Sequence, residues 1–372
     1  MIKNLSFWEQ EFFFYDVDIF IIGAGIVGLT SAYFLKKKFP DKKIVVLERQ
    51  FPGYGASTKN AGFACIGSPS EILSDVVQNG EQHAIELIKM RWSGLQLLKS
   101  IVSPDSMRFK NLGAKELFFN SEKQDVVIDQ LDYLNQLMEA AIAKDHFFRI
   151  TKNRETKGLS HQAVEWDLES QLNPVLIINE LQKKVRSLGV QVVYGANVSQ
   201  IIPKKIKLIL SDSLELEAKK IVVCNNGFAK DLMSLEDLKT VRNQVLMTKP
   251  LKGLPISGNY HLDEGYIYFR SYNNRLLIGG ARNLDVERET TSKFGRNQQI
   301  NDYLKSFVST HLYAADDLEY ESQWSGILGV GSSKKPIVQE INKNIYVAVR
   351  LGGMGVAIGS YVGNKVAEMI TA

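Results

Sequence analysis

Three glycines in Gly23-Ala24-Gly25-Ile26-Val27-Gly28, and an acid at Glu48, carry the first chemistry in this sequence. This spacing in a strand-to-helix turn suits a nucleotide pyrophosphate. The first glycine permits the tight turn, the second lets a phosphate approach the backbone, and the third lets the helix pack closely. The helix start then offers unpaired N–H groups and the positive end of its dipole to the phosphate charge. An acid about twenty residues past the motif accepts hydrogen bonds from the ribose hydroxyls, and its charge disfavours a 2′-phosphate. Glu48 stands there.

The elements that must position these residues fall in order. Asp18 to Ile22 is a short apolar run of the kind used for a buried parallel strand, a helix follows to Lys38 before Pro40, and Lys43 to Glu48 is a second buried strand. Strand, motif, helix, strand and acid in succession imply a bound dinucleotide. They leave open whether it is NAD or FAD. Downstream, Gly55-Ala56-Ser57-Thr58-Lys59-Asn60-Ala61-Gly62-Phe63 is too small, polar and irregular to read as a helix face or a strand. A loop of small residues there suits a backbone that must approach a second, bulky part of the cofactor.

Composition excludes several classes. The chain has 372 residues, 45% hydrophobic and 23% charged, which suggests a globular protein of two domains. A net charge of +4 without basic clusters interleaved with aromatics gives no argument for nucleic acid. Cys65 and Cys224 are the only cysteines, which fits a reducing compartment, and His83, His146, His161, His261 and His311 are scattered, so no metal is expected. The longest apolar run, Ile19 to Leu35, reads as strand, turn and buried helix rather than a membrane span. The N-terminal region does not have the order of a secretory signal, and a cytoplasmic protein is the expectation. The aromatic group Trp8, Phe12, Phe13, Phe14 and Tyr15 is expected to pack on the domain, with contact to a membrane surface as the alternative.

Further along, helical sequence is expected from Ser70 to Val102, from Gln124 to Lys144 and from Leu176 to Ser187. Val190 to Tyr194 is a strand, and Lys220 to Gly227 a late return to the first sheet. Asn344 to Val349, then Gly352-Gly353-Met354-Gly355 and a helix from Val356 to Ile370, repeat the strand–glycine–helix pattern. Residues 241–324 read as an antiparallel sheet with an Asn273-Asn274 hairpin turn. The expected fold is therefore α/β, with a discontinuous Rossmann-like nucleotide domain (1–102, 166–240 and 325–372). An inserted α+β substrate domain (103–165 and 241–324) is built on a mainly antiparallel sheet.

These segments together resemble the D-amino-acid oxidase superfamily of FAD-dependent oxidoreductases, of the glycine oxidase and sarcosine oxidase type. The resemblance rests on DVDIFIIGAGIVGLTSAYFL, VVLER, GASTKNAGF, VVCNNGFA, RNQVLMTKP, LLIGGAR, QWSGILG and GGMGVAIGSYVG, spread in order over nearly the whole chain. It implies a GR2-type FAD-binding domain and oxidation of a C–N bond in an amine or amino acid. Hydride passes to flavin N5, the imine is hydrolysed, and oxygen or another acceptor such as a quinone reoxidises the cofactor. It implies that FAD is held by Gly23, Ala24, Gly25, Ile26, Val27 and Gly28, by Glu48 and Arg49, and by Ala56, Ser57, Thr58, Asn60, Ala61 and Gly62. Val198, Asn225 and Gly227, with Arg350, Gly352, Gly353, Met354 and Gly355, complete the implied set. The rival readings are a same-fold flavin dehydrogenase of a 2-hydroxy acid and a non-catalytic dinucleotide-binding protein.

One departure bears on substrate. Many amino-acid oxidases of this superfamily carry an Arg soon after the tryptophan-glycine motif, where it binds the substrate carboxylate. Trp324-Ser325-Gly326-Ile327-Leu328-Gly329 has none. Tyr266, Tyr268 and Arg270 alternate along one strand and so share a face, where an Arg fork and two phenols are able to hold a carboxylate. Arg242 and Arg282 are weaker candidates. Cys65 is read as a buried thiol rather than a flavin attachment point.

Overall fold

The computed structural model describes residues 4–51, 53–211, 213–315 and 318–371. Two large sheets organise them. The first has six strands in the order Ile337–Asn342, Ile345–Val349, Lys220–Val223, Ile19–Ile22, Ile44–Glu48 and Gln191–Tyr194. All neighbours pair in parallel except the antiparallel edge strand Ile337–Asn342. The Ile19–Ile22, Ile44–Glu48 and Ile345–Val349 strands are buried at every position, because layers cover both faces of the sheet. Their carboxyl ends bring Gly23, Glu48, Cys224 and Arg350 to one edge, where open α/β sheets bind ligands.

Helix Ile26–Lys38 links the first two strands and packs against helix Gly355–Met369. Glycine sets that distance. A Cβ at Gly363 would lie 2.2 Å from Thr30 Oγ1, and one at Gly359 would lie 2.7 Å from Ile26. Helix Pro174–Ser187 begins as its sequence dictates, with the Asn173 side chain accepting from the N–H groups of Val175 and Leu176 and Pro174 in the first turn.

The second sheet has eight strands, in the order Tyr320–Val330, Lys239–Thr248, Arg275–Gly280, Ile267–Tyr272, Asn259–Leu262, Ala114–Glu116, Gln162–Trp166 and Arg149–Lys152. It is antiparallel except between Asn259–Leu262 and Ala114–Glu116. Asn273 and Asn274, with φ of 48° and 59°, make the expected hairpin turn. Alternation gives the sheet two faces. Leu246, Ile278, Phe269 and Tyr260 lie side by side on one, in a core completed by Ile300, Leu304 and Phe307 of helix Gln298–Phe307. On the other, Trp324, Val245, Gly279, Tyr268, His261 and Glu116 form a transverse row facing the nucleotide side.

Five expectations need correction. Of the N-terminal aromatics expected to pack on the domain, Trp8, Phe12 and Tyr15 are exposed and only Phe14 is buried. The four others concern element bounds. The helix expected over Gln124–Lys144 is two helices, Ser121–Ile128 and Leu131–Ile142, and the one over Ser70–Val102 breaks into Pro69–Asn79 and Glu81–Ile101 at Gly80, whose φ is 88°. The segment read as irregular contains a helical turn, Ala56–Lys59, and a two-residue strand, Phe63–Ala64. Strand Tyr320–Val330 runs past residue 325, where the nucleotide domain was expected to resume.

Candidate active site

At the carboxyl edge of the parallel sheet, Gly23 turns the chain with a φ of 102°. The Ala24 N–H donates to Glu48 Oε2 at 2.9 Å, so the acid is fastened to the glycine turn. A Cβ at Gly28 would lie 1.9 Å from the Gly23 carbonyl oxygen, which is why the third motif position admits only glycine. The Ile26 N–H donates to Ser57 Oγ at 3.0 Å, so Ser57 stands at the helix start where a phosphate is expected. Thr58 and Asn60 turn their side chains onto their own loop, Thr58 donating to the Gly53 carbonyl and Asn60 to those of Ala56 and Ser57. They shape the loop that Ser57 presents.

A cavity opens above these groups. Gly23 to Val27, Glu48, Arg49, Ala56 to Thr58, Asn60, Val198 and Asn225 line it, together with Gly353 and Gly355. A second cavity adjoins it, sharing Ala56, Asn60, Leu328, Gly353 and Val356. Its walls include Ala61, Gly352, Met354, Tyr266 and Tyr268. Together the two form one continuous cleft from the glycine turn to the antiparallel sheet.

Five expected residues lie outside both linings, for identifiable reasons. Gly28 packs on the turn as described. Gly62, with a φ of 75°, brings its Cα so near Leu172 that a Cβ would sit 2.3 Å from the Leu172 carbonyl. Gly227 packs under Leu328, and Thr240 Oγ1 donates to its carbonyl. Arg350 is an ion-pair residue rather than a cofactor contact: it pairs with Asp237 and donates from Nε to the Lys335 carbonyl at 3.0 Å. Arg270 is likewise committed. Its Nε donates to the Ala61 carbonyl at 2.7 Å, Nη1 to Gln171 Oε1 at 3.0 Å and Nη2 to the Leu172 carbonyl at 3.4 Å. Burial lowers its pKa to about 10, so it stays charged, but its guanidinium is held by the protein and lines neither cavity. Arg242 is closed off too, pairing with buried Glu289 at 2.7 Å.

The second cavity holds a different cation. Arg282 lines it, its guanidinium 4.9 Å from the Tyr266 ring centre, and it has no acidic partner among the described residues. It follows Gly280 and Ala281, which have φ of 105° and 58°, so a left-handed corner delivers it. Tyr268 lies across Gly279, where any Cβ would be 2.7 Å from the ring, and burial pushes its phenol up to about 12. Trp324 donates from Nε1 to the Lys59 carbonyl at 2.9 Å, joining the antiparallel sheet to the loop at Ser57. Cys65 donates to Met354 Sδ at 3.3 Å, and burial raises its thiol well above the usual range, which suppresses the thiolate a covalent attachment needs.

Two buried charge clusters border this cavity, and neither was legible as a motif. In one, Glu71 pairs with Arg91 at 2.9 Å and with Lys334 at 3.0 Å, while Lys334 also meets Asp75 at 2.8 Å. Burial works against the charge on Glu71, but Arg91 and Lys334 outweigh it and hold the carboxyl at about 2. In the other, His261 Nε2 meets Glu169 Oε1 at 2.7 Å, with Glu116 alongside. Its members are too far apart in sequence for spacing to reveal them. Among the described residues no group of His, Cys, Asp or Glu could hold a metal, and no helix is long and apolar enough to cross a membrane.

The family model for FAD-dependent oxidoreductases matches residues 18–369. The chain belongs to that family. This FAD-dependent oxidoreductase is 24% identical to a probable oxidoreductase, OrdL, of Haemophilus influenzae, over 95% of this chain and 82% of the relative. It is also 24% identical to a γ-glutamylputrescine oxidoreductase of Escherichia coli, over 95% of this chain and 83% of the relative. Glycine oxidase of Bacillus cereus shares its fold with a TM-score of 0.75 at 16% identity, over 95% of this chain and 97% of that one. The first cavity fits the cofactor: Asn225 Oδ1 and Asn226 Oδ1 are buried in its lining without a hydrogen-bond partner, and Gly25 leaves room where a Cβ would meet Ser57 Oγ at 2.8 Å.

Proposed function

We propose that this flavoenzyme oxidises the C–N bond of a small amine or amino acid. The observation that carries the reading is the continuity of the two cavities, from the glycine turn at Gly23 to the substrate-side row at Tyr268 and His261. A relative named for γ-glutamylputrescine supports an amine or amino-acid substrate over a 2-hydroxy acid. Bound FAD would supply the hydride acceptor for oxidation of the substrate carbon, with water hydrolysing the imine product and oxygen or another acceptor such as a quinone taking up the electrons.

The chain's own residues bind and orient. The start of helix Ile26–Lys38 and Ser57 hold the pyrophosphate, Glu48 the ribose, and the turn Gly352–Gly355 lies where the cavities meet. Arg282, with Tyr266 and Tyr268, holds an anionic end of the substrate. It takes the role the sequence suggested for Arg270, since it lines the substrate-side cavity against the Tyr266 ring and makes no ion pair among the described residues. Positioning of this kind, rather than a dedicated acid–base triad, supplies most of the rate in such a site.

The test is direct. Purified protein should be yellow and release FAD on denaturation, and its flavin should bleach anaerobically with members of an amine and amino-acid panel. Bleaching by 2-hydroxy acids alone contradicts the reading. Bleaching by nothing would make the chain a dinucleotide-binding protein without turnover.

A further inference from the structure

His261 is a buried imidazole with one nitrogen committed and one available. It sits on strand Asn259–Leu262, is 6% exposed, and lines the substrate-side cavity beside Tyr268, its neighbour in register. Its ring is clamped between Trp166, stacked at 5.7 Å, and the edge-on ring of Phe63 at 5.6 Å. Nε2 lies 2.7 Å from Glu169 Oε1, and Asn259 Nδ2 donates to the same oxygen at 2.9 Å. A carboxylate only accepts, so Nε2 carries the hydrogen. In the neutral ring the lone pair is then on Nδ1. That atom makes no hydrogen bond with the described residues and is not sealed off, as Glu169 Oε2 is.

Other ionisable groups face the imidazole from each packed element. Glu116 adjoins it from strand Ala114–Glu116, Tyr268 from strand Ile267–Tyr272, and Glu71 acts from helix Pro69–Asn79. Cys65 shares the cavity wall but stays a thiol. Glu116 accepts from Ser68 Oγ at 3.0 Å and from the Ser70 N–H at 2.9 Å, and burial lifts its carboxyl to about 7. Burial disfavours a charged His261, but the carboxylate of Glu169 and its hydrogen bond more than offset this and raise the imidazole above its ordinary value. A base oriented by a carboxylate behind it, with its free nitrogen on a cavity, is the arrangement general-base chemistry needs.

We propose that His261, oriented by Glu169, is the group that takes the proton from the substrate's ammonium before the carbon gives up hydride. This rests on the amine reading above. The step balances as a proton transfer: one N–H bond of R–NH3+ breaks, an Nδ1–H bond forms, and the freed nitrogen lone pair drives hydride loss from the adjacent carbon to the cofactor. Glu169 is a positioning residue, since it reaches the substrate only through the ring. The imidazole accepts only when neutral, so flavin reduction rises with pH through the ionisation of the dyad.

The experiment is anaerobic stopped-flow reduction of the holoenzyme, from about pH 6 to about pH 10, using the amine that best bleaches the wild-type flavin. His261→Gln is expected to slow reduction about 100-fold or more and to remove the ionisation from the profile. Glu169→Gln is expected to move that ionisation to lower pH. The second readout needs no turnover: NMR of ring-labelled histidine in the holoenzyme should show His261 titrating above the ordinary imidazole range, and lower in Glu169→Gln. Should His261→Gln fail to fold, the Glu169→Gln profile and the NMR titration decide the matter. A His261→Gln enzyme that keeps the wild-type profile overturns the proposal and leaves the amine reading standing. A wild-type flavin that no amine bleaches removes both.

Discussion

Arg270 Nε donates to the Ala61 carbonyl at 2.7 Å, so the strand that carries Tyr268 holds the loop that carries Ser57. With Nη1 on Gln171 and Nη2 on the Leu172 carbonyl, one guanidinium fixes the path of the chain through Gly62. It works on the wall of the cavity rather than on a ligand. Replacing Arg270 by Ala leaves buried oxygens without donors and should destabilise the protein by about 3 kcal/mol. Urea unfolding measures this, and the bound FAD content should fall in parallel. An Arg270→Ala protein of wild-type stability with only a raised KM would return Arg270 to substrate binding.

Arg282 should behave in the opposite way. It is half-buried, so Arg282→Ala should fold and retain FAD. Its KM for carboxylate-bearing amines should rise roughly 10- to 100-fold, from the loss of a charge-assisted hydrogen bond of about 1.5–3 kcal/mol. KM for amines without a carboxylate should change little. Steady-state kinetics on paired substrates separates the two, and equal changes for both would count against a carboxylate at Arg282.

Gly28→Val tests the fingerprint. The added Cβ would lie 1.9 Å from the Gly23 carbonyl, so the helix must move away from the turn. We expect about 3 kcal/mol of destabilisation and a colourless protein that does not retain FAD, read from unfolding curves and the flavin absorbance. A yellow Gly28→Val protein would mean that this turn does not hold the cofactor.

The Glu71 cluster predicts a pH window. The folded carboxyl is held at about 2, below its ordinary 4.5, so its contribution is complete above about 4.5 and is lost as pH falls toward 2. At neutral pH this amounts to about 3 kcal/mol as an order of magnitude. Glu71→Gln should therefore differ most from wild type near neutrality and converge with it in acid. Unfolding at several pH values checks the convergence.

The nucleotide end was legible because its determinants are consecutive or separated by one helix. Gly23, Gly25, Gly28 and Glu48 declare a turn, an approach and a ribose acid through local spacing alone. The substrate end was legible only in part. Alternation correctly gave Tyr266, Tyr268 and Arg270 one face, with Ile267 and Phe269 in the opposite core. It could not say that the loop at Ala61 and Leu172 closes over Arg270 while Arg282 stays open. His261 and Glu169 are 92 positions apart, and Glu116 joins them only through the parallel pairing of its strand with Asn259–Leu262, which no local pattern announces. Long-range pairing, not residue type, decides which ionisable groups meet.

The proposed activity oxidises a C–N bond rather than a C–O bond. The most direct measurement is a single anaerobic turnover, with FAD reduction followed by absorbance and the released ammonia or amine quantified in the same sample. Amine oxidation predicts one equivalent of nitrogen released per FAD reduced, with a carbonyl product. Reduction by a 2-hydroxy acid with no nitrogen released, and none by any amine, would contradict it.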